Sequence, residues 1–433
     1  MKNFTRRRFI RTGITGMIGL SVLPMLKGCK VGANDTIRLG FIGLGRQTIY
    51  LVDGFNQIPG VKIVAGCDVY EIKRQRFEQQ VRSFQESQNQ TVEVSIYENY
   101  KDILERDDID AVVIATPDHW HAIQAIDACR AGKDIYLEKP VTFTIHEGIE
   151  VVKAVRAHDI VLAVGSQQRS DPNFQHAVKL VQEGRLGNLT KVNAWVGPPP
   201  KPYDLPEEPI PAGLDWENWL GPNPYVHYNH RLNPPISLDP PKFEQFWAEW
   251  RYYKEVGGGF LTDWGAHNFD IAQWALGKDN SGPVRIIPAG TEGNDYIHFI
   301  YENDLLVANE PFTEDENFGV KFASNNAWIQ VFRGRFEASD PSLMPSDKGI
   351  DGEAVPYETG TPHLEDFIDA MRSRRDPIAN IEAGHRTGSV GILGNIATDL
   401  QRPLNWDPTS ERFVEDPEAD KLLHREYRQG YSL

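Results

Sequence analysis

Cysteine is scarce in this chain: Cys29, Cys67 and Cys129 are the three among 433 residues, too few for a disulfide framework. No Cys/His cluster has metal-ligand spacing, so no metal site is expected. There is no internal repeat and no low-complexity segment. The apolar run at 12–26 is interrupted by glycine and about 15 residues long, short of a bilayer span. Positive charge is missing from the body of the chain. The formal net charge is −16, yet the first 28 residues hold six cations and no acid, so the rest of the chain is more negative still. Such a surface repels phosphate backbones and anionic membranes, which argues against nucleic acid as a partner and for a neutral small-molecule ligand.

Length sets the number of domains. A chain of 433 residues exceeds the size at which one hydrophobic core stops growing, so two domains are expected. Thr5-Arg6-Arg7-Arg8-Phe9-Ile10-Arg11 and the apolar run after it resemble a twin-arginine export signal, with a periplasmic destination. Leu26-Lys27-Gly28-Cys29 resembles a lipobox and makes Cys29 a candidate lipid anchor. The expected partition is 1–35 for signal and linker, 36–165 for a Rossmann dinucleotide domain and 166–433 for a substrate and oligomerisation domain.

The nucleotide half opens with a buried-strand run at 37–42, which leads through Gly43-Leu44-Gly45-Arg46-Gln47-Thr48 into a helical stretch at 49–57. Gly43 suits a tight turn, and Gly45 lets backbone approach a pyrophosphate at a helix N-terminus. Thr48 stands where that fingerprint has its third glycine and is expected to loosen or shift strand–helix packing. A second strand at 61–67 ends at Asp68, 23 residues after Gly45, the separation of a carboxylate that bonds the adenosine ribose hydroxyls. An acid there favours NAD over NADP, although Lys73 and Arg74 lie nearby. Asp68 also suits an N-cap for a helix at 69–81. Strands expected at 92–96, 111–115, 134–137 and 160–164 alternate with helices at 100–106 and 119–130, a βαβ succession that implies a parallel sheet with its ligand at the strands' carboxyl ends. Thr116-Pro117-Asp118-His119-Trp120-His121 begins at one such end and Glu138-Lys139-Pro140 at another. Gly165-Ser166-Gln167-Gln168-Arg169 leaves the last strand toward the second domain.

A lysine at a strand end, half out of water and near another cation, can exchange protons near neutral pH. The stretch 257–270 supplies a partner. Asp263 and His267 are four residues apart within a helix expected at 263–276, hence on one face, where the carboxylate can fix the imidazole's tautomer.

Together, Glu138-Lys139-Pro140, the Thr116 to His121 segment, Asp263-x-x-x-His267 and the tail Trp406-Asp407-Pro408 resemble the Gfo/Idh/MocA oxidoreductase family over about 36–433. The resemblance implies an α/β fold: an N-terminal Rossmann domain followed by a C-terminal α+β domain with a large, open, mostly antiparallel sheet that often makes dimer or tetramer contacts. It implies Lys139 and His267 as catalytic groups, with Asp263 assisting His267. The cofactor-binding candidates are Gly43, Gly45, Arg46, Gln47, Asp68, Thr116, Pro117, His119, His121, Glu138, Lys139 and Gln167. The implied reaction is hydride transfer between NAD, less favoured NADP, and a secondary alcohol of a sugar, glycoside or cyclitol. Because a twin-arginine route carries folded proteins, the cofactor is expected to travel bound. An NAD-dependent glycosidase acting by transient oxidation and a non-catalytic carbohydrate-binding protein are the alternatives.

In the second half, 13 of the 29 prolines fall within 197–241, which excludes helix and interior strand and predicts a stiff binding loop. Seven of the ten tryptophans fall between Trp195 and Trp274; most are expected in the core and a few against a sugar ring. Arg169, His230 and Arg231, with Lys139, Asp263 and His267, are the substrate candidates. Strands are expected at 284–289, 296–301, 305–309, 320–323 and 327–332, and closing helices at 363–371 and 382–398.

Overall fold

Strands β1 (Ile37–Ile42), β2 (Val61–Cys67), β3 (Ser95–Tyr97), β4 (Ala111–Ile114), β5 (Asp134–Leu137) and β6 (Leu162–Val164) form one parallel sheet ordered β3-β2-β1-β4-β5-β6. The computed structural model describes residues 36–234, 236–238, 248–315, 317–345 and 360–433; the expected export signal and Cys29 lie outside the described residues. Every residue of β4, β5 and β6 is buried, which is why these segments read as continuous rather than alternating apolar runs. Strand order reverses between β1 and β4, so their carboxyl ends flank a switch-point crevice, the usual ligand position in such sheets. The strand expected at 92–96 forms only at Ser95–Tyr97. Glu93 N donates instead to the Gln85 side chain at 2.9 Å, which draws its start toward the helix Glu71–Ser87.

The second sheet adds β7 (Leu189–Trp195), β8 (Arg285–Ile287), β9 (Ile297–Ile300), β10 (Leu306–Asn309), β11 (Gly319–Ser324), β12 (Trp328–Phe332), β13 (Arg335–Ala338), β14 (Leu404–Asp407) and β15 (Arg412–Phe413). Their order is β13-β12-β11-β7-β10-β9-β8-β14-β15, antiparallel apart from the β7/β10 pair. The five expected strands are present, while β7, near the middle of the sheet, is not among them. Helices Pro172–Gln182, Gly265–Ala275 and Ile381–Leu400 share a core with this sheet through Phe174, Phe269 and Leu393.

Two departures affect the site. The helix Thr361–Ser373 lies within the stretch assigned to the second domain, yet Leu364, Phe367 and Ile368 join Phe41, Phe55 and Tyr136 in the core of the first sheet. The described part of the Pro-rich segment is mostly loop, but the expected exclusion of helix fails in its proline-free stretch 212–221, where Asp215 caps the short helix Trp216–Leu220. The segment also has a core: its Trp216, Trp219 and Tyr228 are buried with Trp250 and Tyr253 and with Tyr70 of the nucleotide half. Trp216 and Trp219 stack at 4.5 Å within the short helix Trp216–Leu220. Their rings therefore hold the loop together and are packing residues first.

Candidate active site

The first turn carries the nucleotide geometry. Gly43 has φ +85°, and a Cβ there would lie 2.7 Å from the backbone of Ala115 and Thr116, so β1 and β4 approach this closely only with glycine. A Cβ on Gly45 would meet nothing within 4 Å, which leaves room for a ligand at the start of the helix Arg46–Asn56. Thr48 does not loosen this turn. It is buried, and its hydroxyl donates to the Gly43 carbonyl at 2.6 Å. Asp68 Oδ2 accepts from Leu44 N at 2.7 Å and Oδ1 from Tyr70 N at 2.9 Å. The next helix starts at Glu71 with Tyr70 as its N-cap, so Asp68 stitches strand end to glycine turn rather than capping that helix. Each oxygen keeps a lone pair for ribose hydroxyls. Arg74 donates to Asp68 O and Glu98, and Lys73 to Asn233, which commits both to protein partners and agrees with an unphosphorylated ribose.

A cavity of about 1210 Å³ opens over this turn, larger than one drug-sized ligand requires. Of the twelve cofactor candidates, all but His119 and His121 line it. Those two imidazoles are struts in the wall. His121 spans Pro140 O at 2.7 Å and Thr116 O at 2.9 Å, and His119 reaches Trp219 O at 2.9 Å. Burial pushes His121 down to about 4 and His119 to about 3. Glu138 is also buried, which raises its pKa; its Oε1 accepts from Gln47 and Gln167, each at 3.2 Å.

Just past the end of β5, Lys139 Nζ donates to Asp263 Oδ1 at 2.5 Å and to Asp263 O at 3.2 Å. Arg251 Nε lies 3.3 Å from the same carboxylate oxygen. Burial alone would raise the Asp263 pKa, but the two cations outweigh it and hold it low. The expected helix is broken at Trp264 into Gly259–Asp263 and Gly265–Ala275. Asp263 thus braces Lys139 and Arg251 instead of His267. The Nδ1 of His267 is buried with no hydrogen-bond partner among the described residues, and burial, reinforced by Arg333 and Lys139, holds the imidazole neutral. A neutral base and a lysine fixed by a carboxylate therefore share one cavity.

The remaining substrate candidates lie elsewhere. Arg169, 1% exposed, is locked between Asp270 and Asp279, with Nε 2.8 Å from Asp270 Oδ2 and Nη2 2.7 Å from Asp279 Oδ1. His230 pairs with Glu208 at 2.9 Å, and Arg231 Nε donates to Glu249 at 2.9 Å. None of the three lines the cavity. Residues not singled out from sequence take their place: Arg251, Trp264, Arg333 and Asp118. Asp118 sits inside the Thr116 to His121 segment, which was its one sequence signal. It is 4% exposed, and burial raises its pKa to about 8, opposed by Arg251 and reinforced by Asp263.

A doubly wound sheet with a Gly-x-Gly turn after its first strand, an acid at the end of the second and a lysine just past the end of β5 defines the dinucleotide-binding class. The chain belongs to the Gfo/Idh/MocA oxidoreductase family: residues 37–166 match its NAD-binding Rossmann fold and residues 176–433 its C-terminal alpha/beta domain. It is 27% identical over 242 residues to the oxidoreductase YrbE of Bacillus subtilis, covering 55% of this chain and 54% of that protein. It is 36% identical over 170 residues to a glycosyl hydrolase family 109 protein of Shewanella baltica, covering 35% of this chain and 37% of that protein. The matches thus span about half or less of these curated relatives. Among solved structures, the WlbA dehydrogenase of Bordetella pertussis, in complex with NADH and UDP-GlcNAcA, superposes with a TM-score of 0.61 at 18% identity, covering 86% of this chain and 98% of that one. A levoglucosan dehydrogenase in complex with NADH and levoglucosan gives 0.59 at 16% identity, covering 86% and 99%. At these identities the likeness is one of fold.

Proposed function

We propose that this protein is an exported NAD-dependent oxidoreductase that transfers a hydride between the nicotinamide and a secondary alcohol or ketone of a sugar, glycoside or cyclitol. The observation that carries this reading is the convergence of Lys139, braced by Asp263, and neutral His267 on the cavity that holds the glycine turn and Asp68. Gly43, Gly45, Arg46 and Asp68 would hold the dinucleotide, which when bound supplies the hydride acceptor. His267, kept neutral, takes the hydroxyl proton as the carbon is oxidised. The Lys139 ammonium stabilises negative charge that builds on the oxygen, and its bond to Asp263 fixes it there beforehand. Trp264 offers an apolar face beside His267, suited to a sugar ring. The sugar ligands named for the WlbA and levoglucosan dehydrogenases support the substrate class. The twin-arginine-like stretch supports export with the cofactor already bound; a lipid anchor at Cys29 and a homo-oligomer are part of the same proposal.

The test is absorbance and mass analysis of purified protein for bound nucleotide, repeated with a panel of sugars, glycosides and cyclitols. Appearance of the reduced-nicotinamide band with one of them is expected. A protein that binds neither NAD nor NADP overturns the proposal. The match to family 109 glycosyl hydrolases favours a second reading, transient oxidation followed by elimination of a glycosidic substituent. Release of a chromogenic aglycone without net reduction of the cofactor would select it.

A further inference from the structure

The segment after the last helical turn, Lys421–Leu423, has neither helix nor strand, yet it ends in the nucleotide crevice. Gly430, Tyr431 and Ser432 line the same cavity as Asp68 and Lys139, although Gly430 lies 362 residues beyond Asp68 and 291 beyond Lys139. Its end of the cavity is identifiable. Asp68 marks the adenosine ribose side, and Asp68 N is bonded to Tyr97 O, at the end of β3. Tyr100, three residues later, stands edge-on to Trp120 at 6.0 Å, and Trp120 stands edge-on to Tyr431 at 5.5 Å. All three rings face the cavity.

Two arginines bolt this segment down. Arg428 donates through Nε to Gly221 O at 2.8 Å, through Nη1 to the Glu217 carboxylate at 2.7 Å and through Nη2 to Glu217 O at 2.8 Å. Arg425 donates to Glu147 at 2.8 Å, to His119 O at 3.1 Å and to Asn223, and lies over the Phe143 ring at 4.4 Å. The His119 carbonyl belongs to the helix that presents Trp120, so segment, Pro-rich loop and nucleotide wall are joined at one place. With one backbone bond, from Arg428 N to Pro222 O at 3.0 Å, these are side-chain ties on an irregular backbone, which can release together without unfolding a sheet or a long helix.

We propose that residues 425–432 form the outer wall of the adenosine subsite and act as a clasp that slows cofactor release, with Tyr431 as the contact residue and Arg428 as its anchor. This rests on the dinucleotide reading above. Retention matters to an enzyme that carries its cofactor through export, because a dinucleotide that leaves cannot be replaced where free NAD is scarce.

The test uses the full chain loaded with NADH and chased with excess NAD. Tyr431→Ala and Arg428→Ala are expected to speed NADH release by roughly tenfold, the scale of one aromatic contact or one anchored loop. Hydrogen exchange on the unaltered protein gives an independent reading. Amides at 217–223 and 425–432 should gain protection with NAD and with ADP-ribose but not with nicotinamide mononucleotide. Release at the parental rate in both folded variants, or equal protection by the mononucleotide, overturns the clasp while leaving the oxidoreductase reading intact. If the variants do not fold, the exchange pattern decides. A chain that takes up no dinucleotide overturns both.

Discussion

The floor and the roof of the cavity are built on different principles. The floor consists of strand ends and the turns that leave them, and its groups are fixed by backbone: Gly43 by close approach to β4, Asp68 by two backbone N–H groups, Lys139 by its place at the end of β5. The roof consists of the Pro-rich segment and residues 425–432. Backbone bonds from Glu71 N to Gly213 O at 2.9 Å and from Asp215 N to Val69 O at 3.1 Å pin one edge of it to the floor, and stacked indoles and arginine ties hold the rest. A floor made from a sheet tolerates little movement, as proton transfer at a defined distance requires. The part of the roof held mainly by side chains, residues 425–432, can open. Substitution of Lys139 in the floor should therefore act on turnover, and substitutions in the roof on exchange of ligands.

The sharpest way to break that division is Lys139→Ala. It should lower turnover by about 10²–10³-fold, the usual worth of one preorganised donor to a developing oxyanion, while NAD stays bound, as single-turnover absorbance and a nucleotide titration would report. Loss of nucleotide affinity together with turnover would show that floor and roof are not separable.

Next in size is Arg169→Ala. Removing one partner of a buried ion pair leaves Asp270 uncompensated and should cost about 3–5 kcal/mol of stability, seen as a lower urea midpoint. The protein that remains folded should keep its KM for whichever substrate the panel identifies. A raised KM with unchanged stability would return Arg169 to the substrate site.

The contrast also explains what could be read from sequence. The floor was legible because each of its parts is local: a turn after a strand, an acid at the next strand end, a lysine before a proline. The prolines marked one part of the roof as a binding loop, but residues 425–432 were not legible, since Arg425 and Arg428 acquire meaning only from Glu147, His119 and Glu217, far away in the chain. β7 escaped notice for a related reason. Its run Leu-Thr-Lys-Val-Asn-Ala-Trp is polar enough to resemble a loop, and it buries Asn193 near the middle of a sheet. Spacing put Asp263 and His267 on one helical face, but the break at Trp264 and the reach of Lys139 gave the carboxylate a different partner. Arg169, chosen as a polar group leaving the last strand, was claimed by two aspartates more than a hundred residues away.

A smaller effect concerns Asp118, where the floor meets the helix that carries Trp120. Its pKa rises from about 3.8 in the unfolded chain to about 8 in the fold, chiefly through burial. Between those values the folded state binds more protons than the unfolded one, so Asp118 makes stability fall as pH rises from about 4 to 8. Asp118→Asn keeps the neutral shape and cannot ionise. The urea midpoint of the variant should decline less steeply across that interval, by at most about 1.4 kcal/mol per pH unit. Parallel slopes for parent and variant would mean that Arg251 keeps Asp118 ionised in the fold.

The smallest effect tests the departure from the glycine fingerprint. Thr48→Gly restores the residue type expected there, so if a glycine is what the strand–helix contact needs, the variant should gain stability or nucleotide affinity. The structure argues the reverse. Thr48 is buried in the first turn of its helix and donates to the Gly43 carbonyl at 2.6 Å. The substitution removes that bond and adds the backbone entropy of a glycine inside a helix, together about 1–2 kcal/mol. A lower unfolding midpoint with an unchanged Kd for NAD is expected. A tighter Kd would show that the threonine hydroxyl holds the turn away from its best pose, and that the floor is less rigid than its backbone contacts imply.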